Sequence, residues 1–171
     1  ETRAEIRRSA APRVTEELLD PLRRGWGDPT YRLWSQVGLL DALLPELDRE
    51  IRDGGGPART LFWKMLAEAD RRKGAGERLD DAALLGIVFL PLLFAAIRGG
   101  ASGPRPMEPQ RLLLVLEEVV NPIALRMALP NHTLHLLKQA LYTMGRLVET
   151  RPNEAAVRRL LPKPYFPPAV D

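Results

Sequence analysis

The sequence predicts an all-α protein, an array of about eight to nine short helices with no sheet. Three observations carry that expectation. Apolar residues recur at helical spacing along almost the whole chain, and strand-like alternation never persists beyond a few residues. Proline and glycine fall where helices start and stop. Hydrophobic residues make up 45% and charged residues 27% of the 171, enough for a core and a solvated surface.

The elements follow in order. Pro12 can open a helix from Arg13 to about Arg24, which Gly25 closes. Asp28-Pro29 reads as a cap followed by proline in the first turn, opening a second helix to about Val37. Gly38 ends it, and "LLDALLPELDREIRD" makes a third helix, bent or restarted at Pro45. "GGG" at Gly54 to Gly56 is a linker. Pro57 then starts "ARTLFWKMLAEADRRKG", with Leu61, Phe62, Met65, Leu66 and Ala69 on one face and a basic last turn. Asp80 and Asp81 cap the next helix, which runs through Ile97.

"RGGASGPRPMEP", Arg98 to Pro109, reads as a second joint. Beyond it come "QRLLLVLEEVV", a short separate helix "PIALRMAL", and "NHTLHLLKQALYTMGRLVE" capped by Asn131. "NEAAVRRLLPKPYFPPAVD" begins as a helix and dissolves into a proline-rich end. The expected division is residues 1–53 and residues 57–171, with the joint at 98–109 inside the second.

Composition narrows the chemistry. The chain has no cysteine, which removes disulfides, thiol chemistry and the usual zinc frameworks. "ETRAEIRRSAAP" lacks the apolar centre of a signal peptide. The most apolar run, "AALLGIVFLPLLFAAI", has 16 residues with a proline inside, whereas a membrane span wants about 20. A buried core helix and a cytoplasmic protein, with no membrane partner, are the expectation.

Net charge is only +3, yet the isoelectric point is 9.6 because the basic residues are nearly all arginine. Arginine suits phosphate and stacks on bases, so the excess leans towards an anionic partner; biased composition explains it equally well.

No self-sufficient active site is legible. His132 and His135 lie three apart on one helix, but no carboxylate sits within two turns to complete a metal site. Asp80-Asp81 is explained as a cap, and Glu46 and Asp48 point apart if helical. Glu16-Glu17 and Glu117-Glu118 read as solvated helix charges. "GGGPART" lacks the lysine and hydroxyl of a phosphate loop, and the G-x-G in "RRKGAGERL" follows no strand.

Binding features are stronger. Arg23 and Arg24 close the first helix, Arg32 follows on the second, and Arg71, Arg72 and Lys73 close the fourth. Brought onto one face, such clusters would follow a phosphate backbone; cations in last turns also complement the helix dipole. Trp26, Tyr31 and Trp34 pack inward by default, and base stacking requires a ring left exposed near arginines.

"RVTEELLDPLRRGWGDPTYRLWSQVGLLDALLPEL" resembles the RNA-binding neck and body region of bacterial poly(A) polymerases, in the nucleotidyltransferase class that includes bacterial CCA-adding enzymes. The resemblance rests on Arg13-Val14, Glu16-Glu17, Leu18-Leu19, Gly25-Trp26-Gly27, Tyr31, Leu33, Gly38-Leu39 and Leu43-Leu44-Pro45, with no gap. "DDAALLGIVFLPLLF" looks like the family's buried body helix, and "LEEVVNPIALRMALPNHTLHLLKQAL" like its helix-proline-helix element. Asp20-Pro21 departs from the family's lysine and leucine, making the first helix less basic and open to a kink. No arginine-rich tail follows the body.

The resemblance implies residues 1–53 as neck-like RNA-binding helices and 57–171 as a helical body. It implies RNA contact at Arg13, Arg23, Arg24, Arg32, Arg71, Arg72 and Lys73, and a head interface at Glu17 and Trp26. The partners it implies are RNA (mRNA or tRNA 3′ ends) and an N-terminal catalytic head. In the intact enzyme that head uses ATP and magnesium for polyadenylation. This chain has no D-x-D pair to hold two metal ions, so it is expected to polymerise nothing alone. A CCA-adding enzyme and a helical protein-interaction module are the competing expectations.

Overall fold

The computed structural model describes residues 11–53, 57–100 and 108–150. The expected proline-rich end, the "GGG" linker and most of the second joint lie outside them. Among the described residues there are eight helices and no strand. They are α1 (Ala11–Arg24), α2 (Gly27–Val37), α3 (Leu39–Leu43), α4 (Pro45–Asp53), α5 (Pro57–Gly74), α6 (Asp81–Gly100), α7 (Pro109–Arg126) and α8 (Asn131–Thr150).

The breaks have local causes. Gly25 at φ +77° ends α1 in a Schellman motif: its N–H donates to the Leu22 carbonyl at 3.2 Å, and the Trp26 N–H to that of Pro21 at 2.8 Å. Gly38 closes α2 at φ +72° in the same left-handed region. Leu44, before Pro45, is forced out of the helical region (φ −144°, ψ 75°), so the third expected helix restarts as α3 and α4. Asp80 caps α6 by accepting the Ala83 N–H at 2.8 Å.

Pro21 lies inside α1, which runs to Arg24 as expected. One proline expectation is corrected. Pro122 does not divide "QRLLLVLEEVV" from "PIALR", because α7 runs unbroken through it. A proline within a helix forfeits the bond to the carbonyl four residues back. Here that carbonyl belongs to Glu118, and both residues are exposed, where water satisfies the orphan at little cost.

α6 is the axis of the molecule, with α1, α4, α5, α7 and α8 packed around it. Its buried residues run almost without interruption from Ala82 to Leu93, the pattern of a helix enclosed on all sides. By length and composition Asp81–Arg98 is apolar enough to cross a membrane, with mean hydropathy 1.9, but 67% of it is buried inside the fold. One apolar cluster runs from Leu18 to Leu141, so residues on both sides of position 53 share a core. Thr15 on α1 adds a polar tie: its buried hydroxyl donates to the Met127 carbonyl at the end of α7, at 2.5 Å.

The face between α2 and α5 is aromatic. Tyr31 is fully buried and donates its hydroxyl to the Leu18 carbonyl at 2.9 Å. Phe62 sits edge-on to both Tyr31 (6.1 Å) and Trp63 (4.9 Å), and Trp34 lies 5.0 Å from Tyr31. Burial pushes the Tyr31 phenol well above its ordinary value, so it stays a neutral donor.

Candidate RNA interface

The α1–α2 turn, Gly25-Trp26-Gly27, is seated on the last turns of α5. Asp70 of α5 accepts the Gly27 N–H on Oδ1 and the Asp28 N–H on Oδ2, both at 2.8 Å. These are the first N–H groups of α2, which the helix cannot satisfy itself. The residue at the N-cap position is Trp26, which offers no oxygen. Asp28, expected as the cap, lies inside the helix instead and pairs with Arg32. The cap comes from 42 residues away.

Both glycines are required where they stand. A Cβ on Gly27 would lie 2.6 Å from Leu22 Cδ2 and 3.2 Å from Asp70 Oδ1. A Cβ on Gly25 would lie 3.0 Å from Lys73 Cβ, at a φ that already disfavours any side chain. Close approach to α5 therefore fixes the turn and brings Lys73 beside it.

Trp26 itself is 65% exposed. This corrects the expectation that the ring packs inward, which holds for Tyr31 and, in part, for Trp34. The difference is position: Trp26 leaves the helix axis between two glycines, whereas Tyr31 and Trp34 lie on the core-facing side of α2.

The predicted cations have intramolecular partners, with one exception. Arg13 lies 3.8 Å from Glu17, one turn along α1. Arg24 donates to Asp20 at 2.8 Å. Arg71 donates twice to Glu68, at 2.7 and 2.5 Å, and Arg72 donates to Glu77 at 2.7 Å. Arg32 pairs with Asp28 at 2.9 Å and stacks 4.3 Å over the Trp63 ring. Lys73 makes no ion pair among the described residues.

Arg23 is held most firmly. Its guanidinium forks onto both oxygens of Asp81 on α6, at 2.9 and 2.7 Å, and donates to Glu16 at 2.6 Å. The bond to Asp81, then that to Glu16, raises the guanidinium further above its already high value, while the bond from Arg23 holds the Asp81 carboxyl below the usual carboxylate range. A depressed folded value means that this stabilisation is complete above the unfolded carboxylate pKa near 4 and is lost as pH falls through the folded one. Glu46, held down by its bonds from Arg126 on α7, behaves in the same sense. Urea midpoints are expected to fall between about pH 5 and pH 3, less steeply in Asp81→Asn than in the parent. Equal slopes would contradict the assignment.

The partnered cations differ in what a phosphate could take from them. An exposed ion pair such as Arg13–Glu17, Arg24–Asp20 or Arg71–Glu68 is screened by solvent and contributes little, so an incoming phosphate can compete for the cation. Arg23, with four bonds to two carboxylates, and Arg32, stacked on a ring, are costlier to recruit.

Two other features do not fit RNA. An open groove of about 380 Å³ between α4, α6 and α7 is lined by apolar residues and by Glu46, Arg49, Glu50 and Glu118, three carboxylates to one cation, which does not favour phosphate. His132 and His135 are exposed on α8, and among the described residues no three His, Cys, Asp or Glu side chains come together as a metal site.

Sequence reasoning missed Asp70. The one signal was negative: a helix opening on Trp26-Gly27 has no capping oxygen of its own, so an acceptor must come from elsewhere.

Residues 1–51 match the family model described as "Probable RNA and SrmB- binding site of polymerase A". No curated protein matches the chain. The matched segment contains α1, α2, α3 and most of α4, including the turn seated on α5. It carries eight arginines against ten carboxylates, so any attraction for RNA is local, at particular cations, and not a property of the segment's net charge. Over its first 51 residues, the chain is similar to the RNA-binding region of polymerase A.

Proposed function

We propose that this chain is the RNA-holding part of a poly(A) polymerase-like nucleotidyltransferase, keeping the 3′ region of a messenger or other cellular RNA in place while a catalytic head adds AMP from ATP. The single observation that carries the reading is the match of residues 1–51 to that family's RNA-binding region. In this reading ATP and magnesium belong to the head, because the sequence has no D-x-D pair to hold two metal ions. The setting is the cytoplasm.

Within this chain, phosphate contact falls to Lys73, which has no ion pair among the described residues, and to the exchangeable arginines Arg13, Arg24 and Arg71. Arg23 instead braces α1 against α6. Arg32 and Arg72 contribute less, being engaged with Asp28 and Trp63 and with Glu77.

The test is RNA affinity against salt. Three to four phosphate contacts to a single strand predict a slope of log K against log [salt] of roughly −2 to −3. A salt-independent affinity would contradict backbone holding. With ATP and magnesium added, the chain alone is expected to extend no RNA.

A further inference from the structure

Trp26 is the most exposed aromatic among the described residues, and the structure gives it no packing role. Leaving an indole in water forgoes one of the largest burial gains available to a side chain. Yet its backbone is held on both sides. The Trp26 N–H donates to the Pro21 carbonyl at 2.8 Å, and the neighbouring Gly27 N–H is held by Asp70. Gly25 and Gly27 leave no room for a side chain against Lys73 and Leu22. A ring carried on a rigid turn is pre-organised for a partner.

The surroundings say which partner. Arg24 ends α1 two residues before the ring, exposed and paired with Asp20. Lys73 lies against the other side of Gly25, without an ion pair among the described residues. The nearby carboxylate of Asp70 is committed to the α2 N–H groups, and that of Asp20 to Arg24. Leu33 and Val37, the exposed apolar residues farther along α2, stand about two and three helical turns away. An exposed ring on a turn that also carries Arg24 and packs against Lys73 fits a nucleobase with its flanking phosphates better than an apolar protein surface.

We propose that Trp26 is a stacking platform for one base of single-stranded RNA, with Lys73 and Arg24 taking the phosphates beside that base. The proposal rests on the RNA-binding reading above and adds a base contact to it. Every base has a π-face, so the contact tolerates any sequence while still distinguishing a base from its absence. It also reverses the ranking from sequence, which favoured the arginines over the rings.

The experiment uses the full chain with two probes of equal length, a short oligoadenylate and an abasic ribose-phosphate oligomer. The parent protein is expected to prefer the oligoadenylate. Trp26→Ala is expected to weaken oligoadenylate binding roughly 5- to 100-fold and to leave abasic binding unchanged. Trp26→Phe should keep part of the preference. Because the ring is exposed, urea midpoints of both variants should match the parent, so lost affinity cannot be ascribed to unfolding. Equal binding of both probes by the parent overturns the proposal. So does unchanged oligoadenylate affinity in Trp26→Ala, which would assign the ring to a protein partner instead. In both cases salt-dependent binding would survive, leaving the RNA-holding reading intact; failure of the parent to bind either probe would overturn both.

Discussion

Phe62→Ala is expected to lower the unfolding free energy by about 3–5 kcal/mol, the usual cost of deleting a fully buried phenylalanine. Phe62 is 1% exposed on α5 and links Tyr31 on α2 to Trp63 on its own helix. Removing it leaves a cavity lined by rings that cannot collapse, because Tyr31 is anchored by its bond to the Leu18 carbonyl. Arg32 stacks on Trp63, so the loss reaches the interface face of α2. The measurement is urea unfolding of parent and variant at neutral pH, with the slope against urea unchanged if both unfold in one step. For a domain stable by about 5–15 kcal/mol, such a loss consumes a large share. Phe62→Leu should recover more than half of it, since much of the volume returns. A Phe62→Ala loss below about 1.5 kcal/mol would mean that the α2–α5 face is loosely packed.

The helices were legible because their ends obey local rules. Gly25, Gly38 and Pro45 act through φ and the missing N–H, which depend on neighbours in the chain alone. Pro122 was misread because the cost of a proline inside a helix depends on where the orphaned carbonyl faces, and that is a tertiary fact. Asp28 was misread for the same kind of reason. It has the chemistry of a cap, but Asp70 reaches the first N–H groups from α5 and moves the helix start back to Gly27.

Charge was legible in sign but not in partner. Arg13–Glu17, Arg24–Asp20 and Arg32–Asp28 are one helical turn apart, so their spacing announces them. Arg23–Asp81 and Arg126–Glu46 span 58 and 80 residues, and only the packing of α1 on α6 and the approach of α7 to α4 create them. An arginine in a last turn thus reads the same whether it holds a phosphate or a carboxylate of its own protein. Trp26 shows the converse. Its exposure follows from two flanking glycines pressed onto α5, a contact no local pattern contains.

Asp70→Ala is expected to cost about 2–4 kcal/mol, because it strips two donors of their acceptor and one of them, on Gly27, is buried. Water cannot replace the carboxylate at Gly27, where Leu22 and Leu66 close around the backbone. Asp70→Asn keeps the size and one carbonyl oxygen, so it should satisfy one N–H and lose about half as much. The amides of Gly27 and Asp28 should exchange hydrogen faster in both variants, with the core of α6 little changed. A loss in Asp70→Ala within about 0.5 kcal/mol of zero would show that these bonds add nothing over solvent. RNA binding gives a separate readout. Below the unfolding midpoint, a loosened turn no longer presents Trp26 in one orientation, so the variant should lose affinity for oligoadenylate and keep that for the abasic oligomer. Asp70 touches no RNA in this scheme: it positions the turn, and its effect should vanish in a Trp26→Ala background.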